Sequence, residues 1–182
     1  MTTVNDQPEP VDTRFLEQAV QLALDNVEDG EEPFGAVVAR NGEVLGTGVN
    51  TTRRDSDPTA HAEIAAVREA CRRLGTRYLE AATVFSSCEP CPMCLATCAA
   101  AGIDGVVYAA PKESVPDLGT PPRPLLAEMQ AAVRPIAGDR LRHVPTPGAD
   151  RPFARWLELV EDWRALETVA EQADKRGLAE LE

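Results

Sequence analysis

Positive charge is scarce in this chain: 18 lysines and arginines stand against 30 acids, a formal net charge of −12 over 182 residues. Binding of RNA or DNA rests on a basic surface, so a polyanionic partner is not expected. Arg53, Arg54, Arg68, Arg72, Arg73 and Arg77 leave room for a local basic area, but a solvated helix face is the simpler reading of them. Long apolar runs are missing too. No stretch approaches the roughly 20 residues that cross a bilayer, and Met1 to Asp6 has neither a basic end nor an apolar stretch, so no membrane span or export signal is expected. A disulfide framework is also lacking, because the five cysteines are odd in number and three cluster near one histidine, which fits a reducing cytoplasm. There is no internal repeat. The length and a hydrophobic content of 43% suit one domain with a substantial core plus an appendage.

What the chain does have is His61-Ala62-Glu63 followed by Pro90-Cys91-Pro92-Met93-Cys94. His61 would supply an imidazole nitrogen and Cys91 and Cys94 two thiolates to a Zn²⁺ ion, leaving the fourth tetrahedral position for water, as in a catalytic site. Glu63 is then free to move protons. Two thiolates and a neutral imidazole make the metal a weaker Lewis acid than three histidines would, so its water needs a neighbouring carboxylate to ionise. That carboxylate can return the proton to a ring nitrogen and then to a departing amine, which is the proton traffic of hydrolytic deamination.

Geometry narrows the site further. Residues two apart on a helix point roughly 200° from one another, so His61 and Glu63 converge on one metal only over a helix's first turn. Asp55, Ser56, Asp57, Pro58 and Thr59 are loop and capping residues just upstream, and Pro90 and Pro92 pre-set a second helix start that continues as Met93-Cys94-Leu95-Ala96. Thiolates there feel the positive end of a helix dipole. A lone Cys-x-x-Cys also reads as a redox pair or half a structural zinc site, and Cys88 offers a third thiolate at the same spacing. Cys88, however, ends the strand-like run Thr83-Val84-Phe85-Ser86-Ser87 and reads better as a packed residue, as do Cys71 and Cys98 in helical patterns.

Along the chain, Asp12 to Val27 carries a helical apolar stripe. Phe34 to Ala39 and Val44 to Val49 flank Asn41-Gly42, a strong hairpin turn. The first metal helix is expected from about Thr59 to Leu74, ended by Gly75, and the second from about Pro92 to Ala101, between strands at Thr83–Ser87 and from Val106; strand, helix, strand implies a parallel pair. A proline-rich loop covers Pro111 to Pro124, and Leu125 to Val133 reads as helix. The domain reading is 1–11 a flexible N-terminus, 12–148 a zinc-dependent catalytic domain, and 149–182 a helical extension whose stripe of Phe153, Trp156, Leu157, Val160, Trp163 and Leu166 either packs on the domain or serves as a lid or dimer contact.

These motifs resemble the signature of zinc-dependent base deaminases. From about Phe15 to Trp156 the chain resembles the cytidine deaminase superfamily, and within it the guanine deaminase-like branch. The likeness rests on Pro33-Phe34-Gly35-Ala36-Val37, Asn50, Asp57 to Ile64, Ser87 to Cys94, Tyr108-Ala109-Ala110 and Pro152-Phe153-Ala154-Arg155-Trp156. It implies an α/β class fold: a three-layer α/β/α arrangement with a mixed five-stranded sheet, an N-terminal antiparallel hairpin and helices on both faces. It implies Asn50, the Ala62 backbone amide, Phe34 and Trp156 as substrate contacts, a nucleobase or analogue as substrate, and a homodimer. Guanine deaminases of this branch carry an acidic pair after a Gly-Phe, and its second carboxylate reads the guanine edge; here Gly119 is followed by Thr120-Pro121-Pro122. Guanine is therefore expected to be a poor or shared substrate unless Asp117 or Glu113 takes over. The alternatives are a tRNA adenosine deaminase, which would need a basic surface, and a zinc-stabilised interaction domain without turnover, in which Glu63 would lack a role.

Overall fold

The computed structural model describes residues 12–118 and 124–161. The N-terminal stretch 1–11, the loop positions Thr120 to Pro122 and Trp163 with the rest of the expected tail lie outside the described residues.

Strands β1 (Gly35–Arg40), β2 (Glu43–Val49), β3 (Thr83–Cys88), β4 (Gly105–Ala110) and β5 (Leu141–His143) form one sheet in the order β2-β1-β3-β4-β5. β1 runs antiparallel to β2 and β3, while β3, β4 and β5 are parallel. The hairpin closes through Asn41 and Gly42, both at positive φ (53° and 79°), the backbone a two-residue primed turn needs and the reason an Asn-Gly pair sits there. Alternation along the strands splits the core in two. Ala36 and Val38 of β1, Val84 of β3 and Val106 of β4 face one cluster with α2 (Ala62–Leu74) and α3 (Pro92–Ala100). Val37, Ala39, Phe85 and Val107 face the other, with α1 (Arg14–Glu28) and Phe153. The three layers, the mixed sheet and the N-terminal hairpin are those expected from the sequence.

Three boundaries differ from the sequence reading. α2 begins at Ala62 rather than Thr59, because Asp57 Oδ1 accepts from both the backbone N–H and the hydroxyl of Thr59, at 2.7 Å each, and holds that segment as a turn. β5 carries no alternating signal in its three residues and is a strand only because β4 pairs with it. α4 (Pro124–Ala137) runs past Val133 and takes Pro135 within its last turn.

β2 lies unusually close to α2. A Cβ on Gly46 would stand 2.6 Å from the Ala66 carbonyl oxygen and the Ala70 nitrogen, and one on Gly48 would collide with the Ala62 carbonyl and the Ala66 nitrogen. These glycines, facing the alanines of α2, let the helix settle on the sheet and fix the height of its N-terminus. A further helix covers residues 151–161, and its Phe153 and Trp156 are each only 3% exposed. Phe153 joins the α1-side core directly and meets Phe34 edge-on at 6.0 Å, so this stretch packs on its own domain. No helix among the described residues is long and apolar enough to cross a membrane.

Candidate active site

Two helix starts meet at one point. His61 is the N-cap of α2 and Cys91 the N-cap of α3, both with extended backbone (ψ 152° and 167°) that turns the side chain back over the helix end. Pro92 occupies the first turn of α3, where its missing N–H costs nothing. Cys94 follows within the first turn, fully buried. His61 Nδ1 lies 3.6 Å from Cys91 Sγ and 3.5 Å from Cys94 Sγ, and the two sulfurs are 3.5 Å apart. Cys88 stays outside this cluster as a buried cysteine of the α1-side core. Burial pushes its thiol up to about 12, and the same cause raises Cys98 to about 12.

The three donors fit a tetrahedral zinc. Bond lengths of about 2.3 Å to sulfur and 2.0 Å to nitrogen require edges of about 3.5 Å between sulfur and nitrogen and about 3.8 Å between sulfurs, close to those present. The protonation pattern agrees. The hydrogen bond with Cys94, and after it that with His61, pulls the Cys91 thiol well below the ordinary range, while Cys94 is pushed up by the same pairing with Cys91 and by its burial. The pairing thus eases ionisation of one sulfur and resists it at the other, where a divalent cation would have to displace the proton. Burial opposes charging His61, but the hydrogen bond with Cys91 and the carboxylates of Glu63 and Glu32 outweigh it and raise its pKa.

Glu63 stands beside this cluster. It is 7% exposed, Ser86 Oγ donates to its Oε1 at 2.9 Å, and the Cys94 thiol donates to its Oε2 at 3.2 Å. Ser86 is there because Val84, two residues earlier on β3, faces the α2 layer, and strand alternation sends Ser86 the same way. A carboxylate offers about four lone-pair sites. With two protein donors accounted for, Glu63 keeps acceptor capacity for water and substrate.

A cavity of about 580 Å³ opens over these groups, within the roughly 300–1,000 Å³ of small-molecule sites. His61, Ala62, Glu63 and Cys91 line its floor, Asn50 and Phe34 one side, and residues of α4 the other. Asn50 is 2% exposed, and its Oδ1 accepts from the Thr52 backbone N–H at 3.0 Å and the Thr52 hydroxyl at 2.8 Å. An N–H can only be met by the oxygen, so the amide orientation is fixed and Nδ2 remains as a donor at the cavity wall. Trp156 is not among the lining residues. It lies behind the wall, its indole N–H 3.5 Å from the carbonyl of Leu118, which does line the cavity, and the Arg53 guanidinium stacks on its ring at 5.2 Å.

The sequence reading did not single out Glu89, Ser86 or Glu32. The Glu89 side chain is fully buried, accepts from Gln130 Nε2 at 3.0 Å and the Lys112 backbone N–H at 3.3 Å, and pairs with Arg134 Nε at 3.3 Å. It ties α4, which has no buried residue of its own, to the loop that carries Cys91. Its place between Cys88 and Pro90 was the available signal. Glu113 lines the cavity but is paired with Arg134 at 3.1 Å, and Asp117 is exposed.

Residues 10–110 match the family model of the cytidine and deoxycytidylate deaminase zinc-binding region. The guanine deaminase of Bacillus subtilis (strain 168) is 42% identical over 106 residues, 58% of this chain and 68% of that protein. The tRNA-specific adenosine deaminase of Aquifex aeolicus (strain VF5) is 41% identical over 96 residues, 53% of this chain and 64% of that protein, so the match spans less than two thirds of its length. The X-ray structure of the Bacillus subtilis guanine deaminase superposes with a TM-score of 0.56 at 32% identity, covering 82% of this chain and 95% of that one. The chain belongs to the cytidine and deoxycytidylate deaminase family, and its His61, Cys91 and Cys94 cluster accounts for the family's zinc-binding region.

Proposed function

We propose that this member of the cytidine and deoxycytidylate deaminase family is a small-molecule aminohydrolase. It exchanges an amino group on a free nucleobase, a guanine-like purine or a related amino-heterocycle, for a carbonyl oxygen drawn from water, and releases ammonia. The observation that carries the reading is Glu63, a buried carboxylate beside the donor cluster that lines the cavity.

Held by His61, Cys91 and Cys94, zinc would supply the Lewis acidity that makes the attacking water acidic. Glu63 takes the water's proton and carries it to a ring nitrogen, and as the carbonyl forms it takes the remaining proton of the added hydroxyl and delivers it to the departing amine. Its hydrogen bond from Ser86 fixes the carboxylate for both transfers. Asn50 Nδ2 and the Ala62 backbone N–H, which points out of the N-terminus of α2, donate to ring acceptors and hold the base in register. Phe34 forms an apolar wall, itself braced by Phe153. Trp156 acts at one remove, by positioning Leu118.

Charge supports a small neutral substrate over RNA. Glu32, Glu63, Glu89 and Glu113 line the cavity against Lys112 and Arg134, in a chain of net charge −12. The tRNA reading has a footing in Arg54, Arg72 and Arg73, which border a shallow groove beside β2. Purine salvage in the cytoplasm suits the five unpaired cysteines. The exposed Leu125 and Ile136 of α4 suit a homodimer, which gel filtration with light scattering tests. Ammonia release on free bases, nucleosides and tRNA, with zinc content measured in the same samples, decides among the readings: turnover confined to tRNA removes the small-molecule proposal, and none on any substrate leaves a zinc-stabilised domain.

A further inference from the structure

The acids of the cavity differ in what already occupies them. Glu89 has three partners and Glu113 is paired with Arg134. Glu63 is committed to Ser86 and Cys94. Glu32 lines the same cavity, half-buried, and its carboxylate meets no hydrogen-bond or ion-pair partner among the described residues.

Its backbone is locked. Pro33 follows it and is fully buried, and the Phe34 N–H donates back to the Glu32 carbonyl at 2.8 Å. The buried amide of Asn26 donates from Nδ2 to the carbonyls of both Glu32, at 2.8 Å, and Asn50, at 2.9 Å. One side chain therefore sets the spacing between Glu32 and Asn50. Asn50 presents a donor to the cavity and Glu32 an acceptor, so the wall can read a ring edge that carries both a C=O or bare nitrogen and an N–H.

We infer that Glu32 is a specificity-determining residue that accepts a hydrogen bond from a ring N–H of the substrate. The inference rests on the proposed base-deaminating role of the cavity and adds a substrate class to it: free bases with a ring N–H beside an acceptor. Guanine and cytosine have that edge. An N-glycosylated adenosine has no ring N–H to offer, so it would cover the half-buried Glu32 carboxylate without pairing it, which weighs against binding. The carboxylate that the sequence lacks at Thr120 to Pro122 is in this way replaced by one from the segment leading into β1.

The test is binding rather than turnover. Hypoxanthine keeps the ring N–H groups and lacks the amine that would leave, so the zinc-loaded protein cannot consume it. Its affinity is measured by calorimetry beside 1-methylhypoxanthine and 9-methylhypoxanthine, each with one N–H masked, in the wild type and in Glu32→Gln and Glu32→Ala. A hydrogen bond to a charged acceptor corresponds to roughly 10- to 100-fold in affinity. The expected result is that both variants weaken hypoxanthine by that factor and weaken one of the masked rings far less. An equal masking penalty in wild type and variants overturns the inference, as does hypoxanthine binding that is absent in the wild type or unchanged in both variants. Ammonia release from free bases is followed in parallel. Release without N–H-dependent binding sinks the role of Glu32 alone, and N–H-dependent binding without release sinks the catalytic reading alone.

Discussion

Glu63→Gln isolates proton transfer from everything else the site does. The glutamine amide has nearly the shape of the carboxylate: its oxygen still accepts from Ser86 Oγ, now 2.9 Å from Oε1, and its NH₂ faces the Cys94 sulfur where Oε2 stood at 3.2 Å. No cavity opens, and once zinc has displaced the Cys94 proton the NH₂ faces a thiolate that can accept from it. What disappears is a group that can take a proton and give it back. A positioned acid or base contributes on the order of 10²–10⁴ to a rate, and Glu63 is asked to serve in more than one transfer, so kcat should fall by on the order of 10⁴-fold, about 5 kcal/mol of barrier. Stability should not follow. A carboxylate that is 7% exposed with only two donors is held at a cost in the folded state, so the melting temperature should stay level or rise. Ammonia release at saturating base, metal analysis and a thermal melt on one preparation give all three readouts. Activity within about tenfold of wild type with one zinc per chain would refute the proton-carrier role, and loss of zinc from the variant would show that Glu63 is not outside the metal's shell.

Three further outcomes are expected. Changing Cys91 and Cys94 together to alanine should abolish stoichiometric zinc and activity, while chelation of the wild type should lower its melting temperature; zinc retained by the double variant would rule out the site. Gly48→Ala places a methyl against the backbone of the first turns of α2, so it should cost about 1–3 kcal/mol or more by denaturant unfolding and lower kcat by displacing His61 and Glu63; a stable, fully active variant would show that the helix shifts freely. Phe153→Ala removes a ring that is 3% exposed, at about 3–5 kcal/mol, and should raise KM through the loosened Phe34. Because Phe153 packs on its own domain, that loss should be the same at low and high protein concentration, and a concentration-dependent loss would mean the segment is shared between subunits.

The elements with a local cause were legible in the sequence. The hairpin was marked by Asn41-Gly42, α1 by its apolar stripe, and α3 by Pro92 with the parallel strands on either side. β5 was not, since three residues carry no period and the strand exists through its pairing with Val106, Val107 and Tyr108. The start of α2 was placed three residues early because the Asp57 side chain captures Thr59, a contact that competes with helix and leaves no mark in apolar spacing. The closeness of α2 to β2 depends on Gly46 and Gly48 meeting alanines far along the chain, and glycine in a strand pattern reads from sequence only as a weak strand.

At the site the same division holds. His61, Glu63, Cys91 and Cys94 were legible because metal chemistry at a helix start is written within a few residues: a histidine cap, a proline, a one-turn cysteine spacing. Specificity is written in what remains after pairing. Four acids line one cavity; sequence marks Glu63 by its place after His61 but gives the other three equal standing, so Glu113 looked as suitable as any to replace an absent guanine reader. The fold separates them by geometry: Arg134 reaches Glu113 and Glu89 from α4, Ser86 and Cys94 hold Glu63, and among the described residues only the backbone of Glu32 is engaged. An arginine at position 134 thus bears on substrate choice without touching the base, by occupying two carboxylates and leaving the third acid, 102 positions earlier in the chain, as the unfilled acceptor.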